Sequence, residues 1–308
     1  MNSPQRIGIV GMGLLGRGIA ACSVARGLDV AVHSTGEPAW KTQTRDTIED
    51  SLRQLREHNI IGPQDRADWQ NHYSEYDAVS GLAGCDFIIE SVPEHLPTKL
   101  AVLRSLEGIV DRATPIATNT STIPISHLQA GCAHGERLIG MHFAMPCYAT
   151  RFLEIIRGQQ TNDETVAATF ALAGALDKQP SIVQRDVPGF IANRLGYAMY
   201  REALHLLETG VADAATIDDA FRNSIGLWAG VVGPFGWMDM TGLPSYADGM
   251  ARVFPDLSNS SSVPPTMRNA VRDSATSSRG FRDFTPEQAE ARMRQFQANV
   301  WRQFRADG

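Results

Sequence analysis

The chain has 308 residues, 43% of them hydrophobic and 20% charged, which is the composition of a soluble globular protein of about two domains. Its net charge of −6 argues against non-specific binding to nucleic acid or to an anionic membrane. The four cysteines form no C-x-x-C pair, and no apolar run approaches the ~20 residues that span a bilayer, so we expect free thiols, no metal site and a cytoplasmic location.

Apolar runs alternate with helical patterns in the first part of the chain. In order, the predicted elements are a strand at 6–10, a helix at 14–26, a strand at 29–33, a polar helix at about 38–58, a strand at 85–90, a helix at 95–110, strands at 115–118, 138–142 and 152–156, a helix at 163–178 and a strand at 181–184. Asn162 is the expected N-cap of the last helix. Strands and helices that alternate at this spacing predict an α/β fold with a Rossmann-type, doubly wound parallel sheet.

After Pro188 helical patterns dominate, at about 189–209, 213–224, 235–252 and 285–304. We therefore place a domain boundary near residues 186–188, with a dinucleotide-binding domain at 1–186 and an all-α C-terminal domain at 187–308. A polar loop is expected at 258–265, and a mobile stretch at 273–280.

The first predicted strand is followed directly by a G-x-G-x-x-G motif. Gly11 permits the tight turn, Gly13 lets the backbone approach a pyrophosphate, and Gly16 lets helix and strand pack closely. The helix that begins at Leu14 and Leu15 offers free N–H groups and a partial positive charge to the phosphates. A strand before the motif and a helix and strand after it predict a nicotinamide dinucleotide site.

The end of the second strand bears on the choice between NAD and NADP. An NAD site usually has Asp or Glu there for the ribose 2′-hydroxyl, whereas this chain has Ser34. The change removes the main repulsion against a 2′-phosphate, which Lys41 or Arg45 could approach. No arginine directly follows the strand, so we expect NAD as the cofactor, with NADP also accepted.

Two polar residues in apolar runs indicate acid–base chemistry. His142 ends the run LIGMH, which places it at the carboxyl end of a strand, where open α/β sheets bind ligands. A histidine suits the removal of a hydroxyl proton because it titrates near neutral pH. Glu154 lies inside the run FLEII, where a carboxylate is costly unless it is paired. A His–Glu pair would satisfy both groups and fix the histidine tautomer.

Five motifs taken together resemble the 3-hydroxyacyl-CoA dehydrogenase family over nearly the whole chain. They are GMGLLG at 11–16, NTS at 119–121, HFAMP at 142–146, FLEII at 152–156 and PGFIANR at 188–194. The resemblance implies an NAD-dependent oxidoreductase of fatty acid metabolism that acts on a small-molecule substrate. It makes His142 the general acid or base and Glu154 its orienting partner, and it implies that Ser121 and Asn193 bind the reacting oxygen or the histidine.

The resemblance also assigns residues near the cofactor and a role to the helical domain. Glu94 and Lys99 match family positions near the nicotinamide ribose, and Asn119 of the NTS motif is expected to bind the cofactor as well. The C-terminal domain is expected to close over the substrate and to form the interface of a homodimer.

Structural roles stay open for several of these side chains. His142 alone could be a satisfied core histidine, Ser121 could cap a turn, and Asn193 could bind across the domain junction. Glu94 and Lys99 could be ordinary residues at the start of a helix.

Two departures leave the substrate open. Met145 stands where the family usually has Asn before the proline, and the glycine- and lysine-bearing turn that usually precedes GFY near the C-terminus is shortened to SATSSRGFRDF. A CoA substrate also needs basic groups for its phosphates, and the helix at 38–58 supplies few. One hypothesis is a 3-hydroxyacyl-CoA or 3-hydroxy acid dehydrogenase. A second is a dehydrogenase of a small acid or aldehyde without CoA, of the pyridine-aldehyde type. A third is a crystallin-like binding protein without catalysis, against which the His142–Glu154 pair argues.

Overall fold

The computed structural model describes residues 4–36, 38–277, 280–282 and 284–306. The chain forms two compact units, of which the first ends at Arg194 and includes the chain again from Val300, while the second is Leu195–Asn299. The predicted boundary near 186–188 thus lies a few residues earlier than this division. The end of the last helix joins the first unit because Trp301 and Phe304 are buried there and Trp301 stacks on His58 at 4.1 Å between ring centroids.

The first unit contains one mixed sheet flanked by helices. Its strands are β1 (Arg6–Val10), β2 (Asp29–His33), β3 (Tyr73–Tyr76), β4 (Phe87–Glu90), β5 (Ile116–Thr118), β6 (Leu138–Phe143), β7 (Phe152–Ile156) and β8 (Gln179–Val183). Its helices are α1 (Leu14–Ala25), α2 (Trp40–Glu57), α3 (Leu96–Glu107), α4 (Ile125–Gln129) and α5 (Asp163–Ala175). The strand order is β3-β2-β1-β4-β5-β6-β7-β8. The predicted Rossmann-type fold is confirmed.

Both faces of the sheet are covered, which explains the near-continuous apolar runs of the central strands. On β4, Phe87 and Ile89 pack in one cluster with Ile19 of α1, whereas Ile88 points to the opposite face and packs with Leu103 of α3. Successive side chains of a strand alternate between faces, so a strand that is buried on both must be apolar throughout.

The sheet departs from the predicted all-parallel arrangement at one pair of strands. β6 and β7 run antiparallel, with His142 opposite Glu154 in the register, while the other neighbouring pairs are parallel. The segment between Phe143 and Phe152 is too short for the crossover that a parallel connection needs. The antiparallel register therefore brings the two predicted acid–base residues side by side.

Several local features differ from the sequence prediction. β3 was not predicted because its sequence, YSEY, is polar, as an edge strand can be. The helix expected at 235–252 breaks at Gly242, whose φ of 110° favours glycine. Asp273, expected to start a mobile stretch, lies inside a helix (Pro265–Ser277) that begins at a proline, a residue favoured in the first turn. Ser278 and Arg279 lie outside the described residues. The predicted cap is confirmed, since the side chain of Asn162 accepts from Thr165 N at 2.8 Å.

The second unit is helical wherever it has regular structure in the described part. Its helices, including the two that begin or end in the first unit, are α6 (Ala192–Glu208), α7 (Ala214–Asn223), α8 (Ile225–Ala229), α9 (Pro234–Thr241), α10 (Leu243–Val253), α11 (Pro265–Ser277) and α12 (Pro286–Ala306). In Leu195–Asn299, no residue whose exposure is described, which leaves out 275–279 and 283, is buried. Within the described ranges, no helix combines the length and apolarity needed to cross a membrane.

Candidate active site

The glycine motif forms one wall of a cavity of about 900 Å³ at the carboxyl ends of β1 and β2. Gly11 has a φ of 93°, and a Cβ there would meet Ser91 O at 2.6 Å. A Cβ on Gly16 would lie 1.9 Å from Gly11 O, so only glycine allows α1 to start this close to the loop. A Cβ on Gly13, in contrast, would meet nothing within 4 Å. The space in front of Gly13 is open to a ligand.

These residues fit the pyrophosphate of a dinucleotide. Leu14 and Leu15 line the cavity at the start of α1, where the first N–H groups of the helix have no partner within it. Helix N-termini of this kind stabilise phosphate through these N–H groups and the helix dipole. The cavity volume is within the range of cofactor sites.

Ser34, directly after β2, stands where an NAD site usually has an acidic residue. Ser34 lines the cavity, and its Oγ accepts a hydrogen bond from Gly36 N at 3.2 Å. The two basic residues expected to approach a 2′-phosphate are already paired. Lys41 Nζ lies 2.5 Å from Asp77 Oδ1, and the guanidinium of Arg45 forms two hydrogen bonds to Glu75.

His142 and Glu154 form a buried pair on adjacent strands. Nδ1 of His142 lies 2.7 Å from Oε2 of Glu154, whose side chain is 1% exposed. The rings of Phe152 and Phe190 each lie 5.8 Å from the imidazole ring. Because a carboxylate accepts hydrogen bonds, Nδ1 carries the ring proton of the neutral imidazole. Nε2 is then the nitrogen that can accept a proton from a substrate.

The second oxygen of Glu154 binds backbone at the start of α6. Oε1 accepts hydrogen bonds from Ile191 N and Ala192 N, each at 2.9 Å. Burial raises the pKa of Glu154, but the hydrogen bond from His142 and the two backbone N–H groups outweigh it, so the pKa lies below its ordinary value. Glu154 is therefore an anion at neutral pH and can stabilise a protonated His142.

The segment at 119–121 connects the cavity to this pair. Asn119 Oδ1 accepts from Phe143 N at 3.0 Å, directly after His142 in β6. The side chain of Asn193 donates to Ser121 O at 2.9 Å. Asn119 and Ser121 line the cavity, and His142 and Asn193 are not among its lining residues. Asn193 thus holds the backbone of the 120–122 loop, and its expected contact with the reacting oxygen or the histidine stays a prediction.

Glu94 and Lys99, both expected near the nicotinamide ribose, differ in their exposure to the cavity. Glu94 lines the cavity, but its Oε1 accepts four hydrogen bonds from the 120–122 loop, through both hydroxyls of Thr120 and Thr122 and the N–H groups of Ser121 and Thr122. Lys99 is fully buried and does not line the cavity. Its Nζ lies 2.9 Å from Glu90 Oε1 and 3.5 Å from Glu94 Oε2. Lys99 thus holds Glu90 and Glu94 together, and its expected place near the nicotinamide ribose stays a prediction.

Glu90 is the residue of this cluster that sequence reasoning missed. It is fully buried, and Thr118 donates to its Oε2 at 2.6 Å while Val92 N donates to its Oε1 at 2.7 Å. The signal was present in the sequence, since Glu90 ends the apolar run FIIE just as Glu154 lies inside FLEII. A carboxylate in an apolar strand calls for a cation, and here that cation is Lys99.

Comparison with known families gives matches that span nearly the whole chain. A model described as 3-hydroxyacyl-CoA dehydrogenase, NAD binding domain, matches residues 6–187, and the model of the C-terminal domain of the same family matches residues 189–284. A 5-formyl-3-hydroxy-2-methylpyridine 4-carboxylate 5-dehydrogenase of Mesorhizobium japonicum is 34% identical over 93% of both chains. An L-carnitine dehydrogenase of Oceanobacillus iheyensis is 30% identical over 75% of this chain and 74% of its own.

Solved structures give the same result. A 5-formyl-3-hydroxy-2-methylpyridine 4-carboxylic acid 5-dehydrogenase, described as an NAD⁺-dependent dismutase, has a TM-score of 0.88 at 32% identity and covers 98% of this chain and 97% of its own. An (S)-3-hydroxybutyryl-CoA dehydrogenase from Ralstonia eutropha has a TM-score of 0.75 at 31% identity and covers 92% of this chain and 100% of its own.

The hydrogen bonds to Glu94 make the stability of the protein depend on pH. Burial raises the pKa of Glu94, but the bonds from Thr120 and Thr122 and the charge of Lys99 outweigh it and lower the pKa. A carboxyl group whose pKa is lower in the folded state stabilises the fold above its unfolded pKa, and this stabilisation is lost as the pH falls through the folded pKa. We expect E94Q to lower the melting temperature by roughly 2–4 °C at pH 7 and by progressively less below about pH 4.5.

The measurement is thermal unfolding of the wild type and E94Q from pH 7 to pH 3. The control is E290Q, which removes the carboxylate of an exposed pair with Arg294 and should leave the melting temperature nearly unchanged. A difference between wild type and E94Q that stays constant over this range would show that the charge of Glu94 does not stabilise the loop.

Proposed function

The chain belongs to the 3-hydroxyacyl-CoA dehydrogenase family and is a nicotinamide-dependent dehydrogenase that acts on a CH–OH group, and on that premise we propose that it interconverts a 3-hydroxy acid or 3-hydroxyacyl-CoA and the 3-keto form. The observation that carries this proposal is the His142–Glu154 pair, because it leaves Nε2 of a histidine as a base at the carboxyl edge of the sheet.

Each residue of the site has a part in this reaction. When bound, NAD supplies the acceptor for the hydride that leaves the carbinol carbon. Nε2 of His142 takes the hydroxyl proton as the C=O bond forms, and Glu154 stabilises the resulting imidazolium. Ser121, held by Glu94 and Asn193, is in reach of the cavity as a hydrogen-bond donor to the substrate oxygen or the cofactor. In the reverse direction His142 returns the proton to the alkoxide oxygen.

NAD is favoured over NADP because the two basic residues that could approach a 2′-phosphate are already paired with acidic residues. A 2′-phosphate gains most from a free guanidinium or ammonium, but Arg45 and Lys41 are paired with Glu75 and Asp77. The lack of an acidic residue at position 34 removes the repulsion against NADP without supplying a site for its phosphate. We therefore propose NAD as the preferred cofactor, with residual use of NADP.

A substrate without CoA is the second candidate, and the surface of α2 favours it. All four of its basic side chains are already bound: Lys41 and Arg45 to β3 and its flanking turn, Arg53 to Asp50 and Glu57, and Arg56 to the carbonyl of Asp65. To bind these basic groups, the phosphates of CoA would have to displace the carboxylates or the carbonyl that already bind them. The same His142 base could serve an aldehyde hydrate, which also presents a CH–OH group.

A panel of substrates with NAD and with NADP tests both candidates. Acetoacetyl-CoA, free acetoacetate and a pyridine carboxaldehyde are compared for the wild type, H142N and the surface control H134N. We expect H142N to lose ~10²–10⁴-fold in kcat with its preferred substrate while it binds NAD as the wild type does, because only the base is removed. H134N should retain full activity.

The outcome of the panel distinguishes the alternatives. Turnover of acetoacetyl-CoA supports the acyl-CoA reaction, and turnover of the free acid or aldehyde alone supports the second candidate. NAD binding without any turnover would support a binding protein, and an H142N variant as active as the wild type would refute His142 as the base.

We also propose that the chain is a homodimer through its second unit. Large apolar side chains are exposed there, among them Val231 at 86% and Phe235 at 78%, and no residue of Leu195–Asn299 whose exposure is described is buried. A unit of this length needs a buried core to be stable, and an exposed apolar surface of this extent is typical of an interface.

Analytical ultracentrifugation tests the dimer. We expect a dimer of 33.6 kDa chains at micromolar concentration, and weaker association in the double variant V231D/F235D, because the two charges would have to be buried at the interface. A monomeric wild type at these concentrations would contradict the proposal.

A further inference from the structure

The carboxylate of Glu154 is bound on both sides. Its Oε2 faces Nδ1 of His142 at 2.7 Å, and its Oε1 accepts from Ile191 N and Ala192 N at 2.9 Å each. With a side chain that is 1% exposed, it has little other solvation. The negative charge that supports His142 is thus shared with the backbone at the start of α6.

The two backbone donors have a defined electrostatic effect. The first N–H groups of a helix have no acceptor within it and carry part of the positive end of the helix dipole. Their bonds to an ionised carboxylate are charge-assisted, so they hold Glu154 in one rotamer. They also bind part of its negative charge, so less of that charge acts on the imidazole than if the carboxylate were bound to the imidazole alone.

The backbone before α6 is shaped for this contact. Gly189 has a φ of 78° and Phe190 a φ of 50°. Both lie in the left-handed region, which a residue such as phenylalanine seldom adopts. The turn is closed by hydrogen bonds from Phe190 N to Val187 O at 3.0 Å and from Arg194 N to Gly189 O at 3.2 Å. The left-handed conformation of Phe190 brings its buried ring against His142. One turn therefore contacts the imidazole ring and its carboxylate partner.

The same turn also contacts the 120–122 loop. Asn193, one residue after Ala192, donates to Ser121 O at 2.9 Å. The His142–Glu154 pair and Ser121 lie on different elements, and the first turn of α6 forms hydrogen bonds to Glu154 and to Ser121. Its position thus fixes the base relative to the group that faces the cavity.

We propose that the first turn of α6, through the N–H groups of Ile191 and Ala192, is a positioning element that sets the proton affinity of His142 in the dehydrogenase reaction. This inference rests on the proposed role of His142 as the base. Among the described residues, Glu154 is the one group that forms an ion pair with His142. The imidazole ring also contacts Phe152 and Phe190, and the titratable groups that line the cavity are Glu94 and His33.

The test removes one N–H group and leaves the side chains in place. Ala192 is the first residue of α6, a position where helices accept proline, so A192P deletes a donor to Glu154 Oε1 without a break in the helix. The matched control is A214P, at the first residue of α7. There the cap carboxylate of Asp213 accepts from Thr216 N, so proline at 214 removes no such bond.

Two measurements follow the proton on His142. With less of its charge withdrawn, Glu154 should favour the imidazolium more strongly in A192P. We expect the acid limb of the kcat/KM profile to move up by about 0.3–1 pH unit, and the NMR titration midpoint of the His142 imidazole in the protein without cofactor to move with it. On the high-pH plateau, kcat should fall by less than about tenfold. The A214P profile should match the wild type.

A double-mutant cycle with E154Q separates this role from a structural one. The shift caused by A192P should vanish in the E154Q background, because the donor acts through the carboxylate. A shift of equal size in both backgrounds, no shift in a folded A192P, or a shift to lower pH would overturn the inference. If A192P does not fold, the backbone amide ¹H shifts of Ile191 and Ala192 in the wild type must follow the titration of His142, because these N–H groups bind the carboxylate that the imidazole binds; amide shifts that stay constant through that titration would overturn the inference. The NMR readout needs no turnover, so it stands apart from failure of the proposed reaction.

Discussion

A single buried carboxylate, Glu154, is the constraint on which the site depends. A carboxylate inside an apolar strand is stable only if its charge is paired or hydrogen-bonded. Glu154 accepts hydrogen bonds from three donors, one imidazole and two backbone N–H groups. The antiparallel pairing of β6 and β7 places His142 directly opposite. The exception to the parallel sheet is thus what creates the acid–base pair.

The same principle operates a second time, beside the part of the cavity that Glu94 and Ser121 line. Glu90 is buried in β4, and Lys99 is buried with it and lies near Glu94, which in turn binds the 120–122 loop. Two carboxylates in two apolar strands therefore organise the two sides of the site. In each case the cost of a buried charge is offset by partners that also fix the position of a loop or a ring.

The sequence alone predicted the Rossmann-type sheet, the glycine loop and the pairing of His142 with Glu154, because each depends on a local pattern of residue types. It did not predict β3, since an edge strand can be polar. It also did not predict that β7 runs antiparallel to β6, which follows from the short connection between these two strands. The place of Lys99 near the nicotinamide ribose was inferred from the family resemblance, and its ion pair with the buried Glu90 is a tertiary contact that the resemblance did not reveal. The pairing of Lys41 and Arg45 with acidic residues of another element is a tertiary fact that no local pattern contains.

The contact with Glu154 places the ring proton of neutral His142 on Nδ1 and leaves Nε2 as the base. The direct test is the ¹⁵N NMR spectrum of His142 labelled in its imidazole ring, recorded above its titration midpoint and identified by its loss in H142N. We expect a protonated Nδ1 and an unprotonated Nε2, with a strongly downfield Nδ1–H proton that reflects the bond to Glu154. A spectrum of the Nε2–H tautomer would contradict the account, because the nitrogen that must accept the substrate proton would already carry one.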